Sequence, residues 1–171
     1  MSAETITTAL FLITAVVASA VLINAVYPVV YSMAGTFSST THQSDVRIRT
    51  DFKIITTFAT AGTPGKAQVW MKNIGSEQIS YEEIKRSDVF CGAVGNFDRL
   101  AYQNVYPDSL NSGNWTETFD SGYDLNNNQF WDPGETLKVT AKTTIPATGS
   151  RIYFQFATPN GIWRSNEFTV S

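Results

Sequence analysis

The chain has no Asp, Glu, Lys or Arg between Glu4 and Asp45, a stretch of 40 residues in a protein of 171. The first two-thirds of this stretch, ITTALFLITAVVASAVLINAVYPVVY, is almost wholly apolar. It is longer than the roughly 20 apolar residues that cross a bilayer as a helix. The missing charge therefore excludes a segment freely exposed to water. It predicts a hydrophobic helix that lies in a membrane or packs against other helices.

Residue types that support particular functions are also scarce. The single cysteine, Cys91, excludes an intrachain disulfide, and the single histidine, His42, excludes a cluster of His ligands. The net charge of −3 argues against a nucleic-acid partner, which normally requires a basic patch. There is neither a G-x-S-x-G turn nor a phosphate-binding glycine loop. These absences predict a protein that anchors, assembles or binds, and not an enzyme.

The apolar segment differs from a cleaved secretory signal. Such a signal has a basic start, a short apolar run and an A-x-A-like exit. Here only Met-Ser-Ala-Glu precedes the run, which is longer than the apolar core of a typical signal. We therefore expect residues 1–45 to be retained as a membrane anchor or an assembly helix.

Residues 4–44 are predicted to form one continuous helix with two unusual positions. Pro28 removes a backbone hydrogen bond, which predicts a kink or local irregularity near Asn24. Asn24 itself lies deep in the apolar run, where an amide needs a partner. It either contacts a neighbouring helix or reaches toward the membrane interface. Together with Glu4 at the start of the helix, Asn24 and Pro28 are the positions expected to affect helix assembly.

From residue 46 to residue 171 the pattern changes to short strands separated by turns. The strand-like runs are VRIRTDFKIITTFAT, KAQVWMKNI, QISYEEI, DVFCGAV, FDRLAYQNV, TLKVTAKTTI, RIYFQFA and IWRSNEFTV. Turn residues lie between them, for example at TPG, NIGS and DPG. In TLKVTAK the apolar side chains of Leu137, Val139 and Ala141 alternate with polar ones. This spacing predicts a mainly β fold: an immunoglobulin-like antiparallel β-sandwich preceded by one long N-terminal helix.

The segment DLNNNQFWDPGE, residues 124–135, is called the Asn-rich loop below, and it has the ligand spacing of a twelve-residue calcium loop. Ligands at positions 1, 3, 5, 7, 9 and 12 would be Asp124, Asn126, Asn128, the carbonyl of Phe130, Asp132 and Glu135. Gln129 stands at position 6, where glycine is expected because the sharp turn needs a positive φ. The alternative is a loop whose Asn and Asp side chains bond to its own backbone. Ca²⁺ is the one cofactor that the sequence suggests.

Asn114, Trp115 and Thr116 form an N-glycosylation sequon. Such triplets often arise by chance. The surrounding SLNSGNW has the composition of a surface loop. Asn114 is therefore a candidate glycan site if the domain lies outside a glycosylating cell.

Four segments together resemble a known family: SAETITTALFLITAVVASAVLINAVYPVVYSMAGTF, VWMKNIGSEQI, RSDVFCG and PGETLKV. They resemble the archaellar accessory protein G family, also called flagella-related protein G, over nearly the whole chain. The resemblance implies a membrane helix followed by an immunoglobulin-like domain outside the membrane, in the pseudoperiplasm. It implies a part in the archaellum, the rotating swimming filament of archaea. Members act as stator elements with a sister accessory protein, F. Together they tie the motor to the surface layer, and protein G itself can form filament-like assemblies.

The helix is also similar to that of archaellins, the filament subunits, and of type IV pilins. Those subunits carry a short basic leader that a dedicated peptidase removes, and no such site precedes Glu4. This difference favours the accessory protein. Glu4 nevertheless stands where pilin-like subunits place an acidic residue, so a subunit of an extracellular filament remains an alternative. A membrane-anchored immunoglobulin-like binding module unrelated to motility is the second alternative.

Overall fold

The computed structural model describes residues 2–118 and 124–171, and its chain divides into two compact units, Met1–Asp45 and Val46–Ser171. The first unit consists of most of α1, a helix of 47 residues from Ala3 to Arg49. The helix continues through Pro28 without a break. At 1.5 Å per residue, α1 is about 70 Å long.

The end of α1 differs from the expectation that a strand begins at residue 46. Residues 46–49 are helical, and the first strand begins at Phe52. Arg47 and Arg49 lie in the last turn, where positive charge interacts favourably with the helix dipole. Thr50 closes the helix, because both its amide (3.0 Å) and its hydroxyl (2.7 Å) donate to the carbonyl of Val46. Residues 46–49 (VRIR), whose pattern suits a strand, therefore form the last turn of the helix.

In residues 46–118 and 124–171, the second unit contains ten strands and two short helices in addition to the end of α1. The strands are β1 (Phe52–Thr60), β2 (Gly62–Asn73), β3 (Ile79–Ser80), β4 (Asp88–Ala93), β5 (Asn96–Tyr102), β6 (Asn114–Thr118), β7 (Phe130–Trp131), β8 (Thr136–Ile145), β9 (Arg151–Ala157) and β10 (Trp163–Thr169). Helix α2 (Tyr81–Lys85) follows β3, and a 3₁₀ turn covers Pro107–Ser109.

Eight of the strands pair in the order β1-β2-β8-β6-β5-β4-β9-β10, and β3 pairs with β7 separately. All neighbours are antiparallel except β5 and β6, which run parallel over Ala101↔Asn114 and Tyr102↔Trp115. Strands β1 and β10, at the two ends of the order, also contact each other. The two halves of the sheet therefore face each other, which confirms the predicted β-sandwich.

The core lies between the two halves and is rich in aromatic side chains. The ring of Phe52 packs 5.7 Å from that of Trp131 and 5.6 Å from that of Phe156, and the ring of Trp115 lies 6.1 Å from that of Phe156. In β8 the apolar side chains of Leu137, Val139 and Ala141 are fully buried as predicted, but Thr140 between them is fully buried as well. The side chains of Ile152, Phe154 and Phe156 in β9 are also fully buried.

One predicted strand is mostly helix, and two strands were missed. In QISYEEI only Ile79 and Ser80 form a strand, and α2 begins directly after them. The reason is a capping box, in which the Ser80 side chain accepts from the amide of Glu83 and the Glu83 carboxylate accepts from the amide of Ser80. The missed strands, β6 and β7, lie in segments whose composition is that of loops.

Candidate functional site

From Ile6 to Phe37 the surface of α1 is predominantly apolar. Its large apolar side chains between Ile6 and Phe37 are all largely exposed, from 47% for Val26 to 75% for Tyr31. Within the described parts of the chain, α1 is the one helix long and apolar enough to cross a membrane. A surface of this kind is stable only when lipid or other protein covers it. The first candidate site is therefore an assembly or anchoring surface.

The three residues predicted to matter for assembly all lie on α1. Glu4 is in the first turn, where negative charge favours the helix N-terminus. The side-chain amide of Asn24 makes no hydrogen bond to any residue in 2–118 or 124–171. Pro28 stands four residues later and has no N–H to donate to the carbonyl of Asn24. This turn is therefore a polar position on an apolar helix, at which a neighbouring helix can supply hydrogen bonds.

Within the second unit, the turn Lys72–Ser76 bonds to the last residue of α1, Arg49, and to Asp51 after it. The amides of Ile74 and Gly75 donate to the carbonyl of Asp51 (3.0 and 2.9 Å), and the amides of Ser76 and Glu77 donate to that of Arg49 (2.9 and 3.2 Å). Glycine is required at position 75, since an added Cβ would lie 2.3 Å from the carbonyl oxygen of Arg49.

Asn73 links this turn to the Asn-rich loop, a role that sequence reasoning missed. Its side-chain amide donates to the carbonyls of Glu77 (2.9 Å) and Trp131 (2.8 Å), and its side-chain oxygen accepts from the amide of Gly75 (3.0 Å). Its own amide donates to the carbonyl of Glu135 at 3.0 Å. Asn73 is 1% exposed, so these bonds are protected from water. An Asn shortly before a turn glycine was the only signal in the sequence.

The Asn-rich loop is held by side chains that accept hydrogen bonds from its backbone. Asp124 accepts from the amides of Asn128 (3.3 Å) and Gln129 (3.0 Å). The carboxylate of Glu135 accepts from the amides of Leu125 (2.8 Å) and Asp132 (3.0 Å). These bonds close the loop from its first residue to its last.

Gln129 takes the conformation for which glycine was expected. Its φ is +64°, and that of Asn127 is +55°. A glutamine in the left-handed region is strained, because its Cβ crowds the following carbonyl oxygen. The hydrogen bond of its amide to Asp124 holds it there. Position 6 therefore lacks the expected glycine, but its backbone has the left-handed conformation that glycine usually provides.

Asn114, Cys91 and His42 lie in three different environments. Asn114, predicted to lie in a surface loop, is the first residue of β6, and its side-chain amide donates to Oε1 of Gln103 at 3.1 Å. Glycosylation of Asn114 stays a prediction. Cys91 is fully buried, and burial raises the pKa of its thiol to about 12, so it is a poor nucleophile. His42 is exposed on α1.

A cluster of two half-buried tyrosines, Tyr81 and Tyr102, and the buried carboxylate of Glu117 was not predicted at all. The Tyr102 hydroxyl donates to Glu117 at 2.9 Å. Burial, followed by the nearby Glu117 charge, raises the pKa of Tyr102, and burial with a hydrogen bond to Glu117 raises the pKa of Tyr81 to about 12. The three residues lie far apart in the sequence, so no local pattern predicts that they contact one another. The phenols stay protonated donors at neutral pH, and they contribute to structure rather than to acid–base chemistry.

Comparisons with known proteins agree with this architecture. The family model of archaeal-type flagellin matches residues 2–168. The chain belongs to this family. An uncharacterized protein of Archaeoglobus fulgidus is 26% identical over 143 residues, which cover 83% of this chain and 82% of that protein. Membership makes the chain a structural component of the archaellum and confirms the relation to archaellins.

Two solved structures have the same fold. The archaellum periplasmic stator protein FlaG from Sulfolobus acidocaldarius is 22% identical with a TM-score of 0.51, and the match covers 70% of this chain and 99% of that chain. The archaeal flagellum of Methanospirillum hungatei strain JF1 is 16% identical with a TM-score of 0.67, and the match covers 97% of this chain and 93% of that chain. The first match supports the predicted likeness to accessory protein G, and the second extends over the helix as well.

Proposed function

We propose that the chain is a membrane-anchored accessory protein of the archaellum that acts as a stator element and carries out no catalysis. The observation that carries the proposal is the pairing of two units: an α1 whose surface from Ile6 to Phe37 is predominantly apolar, and a β-sandwich with its own core. A stator needs a part fixed in the membrane and a folded body that docks to something stationary. The apolar helix supplies the first, and the sandwich supplies the second.

The partners follow from this role. The sandwich lies outside the membrane and docks to the sister accessory protein F and to the surface-layer protein. Strands β1 and β10 end the pairing order, so the stretches of their outer edges that do not contact each other can add to a partner's sheet. Nucleic acid is not a partner, since the net charge is −3.

A second function, a subunit of the filament itself, is favoured by the length of α1. A bilayer's hydrocarbon core is about 30 Å thick. Apart from Ile48, the large exposed apolar side chains of α1 extend from Ile6 to Phe37, which is about 47 Å of helix. Packing among identical helices would cover this length, and the unpaired Asn24 amide would find a donor or acceptor there.

Shearing of cells distinguishes the two functions. Filaments are sheared from the host, and the chain is quantified by immunoblot in the filament pellet, the membranes and the soluble fraction. We expect it in the membranes, in an amount that shearing leaves unchanged, while the main filament subunit appears in the pellet. Abundance in the pellet comparable to that of the main subunit would make the chain a filament subunit. Recovery in the soluble cytosol would contradict both functions.

A further inference from the structure

A cleft of about 560 Å³ lies where the start of α2, the segment after β5 and strand β6 meet. It is called the Glu117 cleft below. Tyr81 lines it from α2, Tyr106 from the segment after β5, and Glu117 and Thr118 from β6. Among the described residues that line it there is no Lys, Arg or His. Its volume is in the range that holds a small molecule, so it is large enough for one long side chain of another protein.

Glu117 is buried in this cleft with one oxygen unpaired. The residue is 7% exposed, and its Oε1 accepts a hydrogen bond from the Tyr102 hydroxyl at 2.9 Å. Its Oε2 is buried and has no hydrogen-bond partner in residues 2–118 and 124–171. Glu117 takes part in no ion pair within those residues either. A buried carboxylate is costly unless it is paired and fully hydrogen-bonded, so Glu117 has an unmet demand for a cationic donor.

The surrounding elements do not supply that cation. The sequence has no Lys or Arg from residue 100 to residue 137. Lysines of α2, β2 and β8 have other partners: Lys85 bonds to Glu82 (2.7 Å), Lys66 to Asp108 (3.0 Å) and Lys142 to the carbonyl of Leu110 (2.7 Å), and Lys138 lies 5.1 Å from the ring centre of Trp70. The positive charge that Glu117 lacks therefore has to come from another molecule.

Two more features of the cleft suit a guanidinium group. Thr118 Oγ1 is buried and has no hydrogen-bond partner among the described residues, so it can accept a further hydrogen bond. The Tyr106 side chain lines the cleft and is 86% exposed, which leaves its ring free to stack. A guanidinium group donates from five N–H groups in one plane and stacks on aromatic rings, whereas an ammonium group is a compact point charge. The cleft therefore favours arginine over lysine.

We propose that the Glu117 cleft receives an arginine side chain from a surface segment of a partner protein. The guanidinium group pairs with the Glu117 carboxylate and stacks on the ring of Tyr106. The choice of a partner protein as the source rests on the proposed function, in which the sandwich docks to a stationary protein. Tyrosine and arginine are also the residue types that contribute most to the affinity of protein interfaces.

Two capped peptides test the proposal on the full-length protein in non-ionic detergent micelles. Acetyl-Gly-Arg-Gly-amide carries the guanidinium group, and acetyl-Gly-citrulline-Gly-amide has a neutral group of nearly the same shape. Backbone amide shifts of the ¹⁵N-labelled protein are followed by NMR during each titration. We expect the arginine peptide to shift the amides of residues 116–118 with a dissociation constant of about 1 mM. The citrulline peptide should bind at least about tenfold more weakly.

Equal affinity for the two peptides would overturn the proposal. So would the absence of shifts at residues 116–118 up to about 10 mM arginine peptide. Both results are independent of where the chain resides in the cell. Recovery of the chain in sheared filaments would contradict the stator function without changing peptide binding, whereas loss of peptide binding would contradict the Glu117 cleft alone.

Glu117→Gln assigns the charge. Glutamine keeps the size of the side chain and an oxygen for the Tyr102 hydroxyl, but it removes the negative charge, so the arginine peptide should bind at least about tenfold more weakly. The matched control is Asp108→Asn, which removes the same charge beside the cleft, where the Asp108 side chain is 95% exposed and pairs with Lys66. It should bind the peptide like the wild type. Equal binding by these two variants would contradict the assignment to Glu117.

Tyr106→Ala guards against a Glu117 variant that fails to fold. Because Tyr106 is largely exposed, its truncation should leave the melting temperature unchanged. Loss of the stacked ring should weaken binding of the arginine peptide about two- to fivefold. An unchanged dissociation constant in the folded Tyr106→Ala protein would mean that the guanidinium group does not enter the cleft beside this ring.

Discussion

A chain that lacks residues 1–34 is expected to be soluble and folded in dilute buffer without detergent. The deletion removes nearly all the exposed apolar surface of α1, and it leaves residues 35–45, in which Phe37 is the only large apolar residue. The core of the second unit contains no residue before Phe52, so its packing does not depend on the deleted segment. Size-exclusion chromatography should show a monomer, and a thermal melt should show one cooperative transition.

The full-length chain is the control for this deletion. Without detergent it should aggregate or sediment, because the surface of α1 has no cover in water. A truncated protein that aggregates, or that melts without cooperativity, would show that the second unit needs the helix in order to fold. The division of the chain near residue 45 would then be wrong.

The substitution Trp131→Ala is expected to destabilise the second unit by about 3–5 kcal/mol. Trp131 is fully buried, and its ring packs 5.7 Å from that of Phe52. Its indole N–H donates to the carbonyl of Glu135 at 2.9 Å, so the change also removes a buried hydrogen bond. Because a domain of this size is stable by only about 5–15 kcal/mol, the loss is large. Urea unfolding of the truncated protein measures it.

Trp163→Ala is the matched control for Trp131→Ala. Trp163 lies on β10 and is 54% exposed, so its truncation should change the free energy of unfolding by no more than about 0.5 kcal/mol. Similar losses for the two tryptophans would mean that the Asn-rich loop is not anchored in the core through Trp131.

The helix and most strands could be predicted because their signals are local and repeat along the chain. Absence of charge over 40 residues identifies α1, and alternation identifies β8 and β9. The strand expected at VRIR was wrong: its composition suits a strand, but these residues are the last turn of α1, which Thr50 closes by bonding back to Val46. In the same way, the capping box of Ser80 and Glu83 turns a strand-like segment into α2.

The contacts that organise the candidate sites were harder to foresee. The spacing of the Asn-rich loop was visible in the sequence, but the left-handed Gln129 was not, since glutamine rarely adopts that conformation. Asn73 bridges the turn at Gly75 and the carbonyl of Trp131, 58 residues later in the chain. Glu117 meets two tyrosines from other strands or helices only after folding. Such tertiary contacts leave no periodic pattern in the sequence.

Deletion of the gene in its own host tests the central claim, that the chain is a structural component of the archaellum, most directly. Swimming is scored by tracking single cells and by spreading in soft agar, with growth rate measured in parallel. We expect cells that grow normally but do not swim, and recovery of swimming when the full-length chain is supplied, but not when the chain lacking residues 1–34 is supplied. Normal swimming of a clean deletion strain would contradict both the stator and the filament functions.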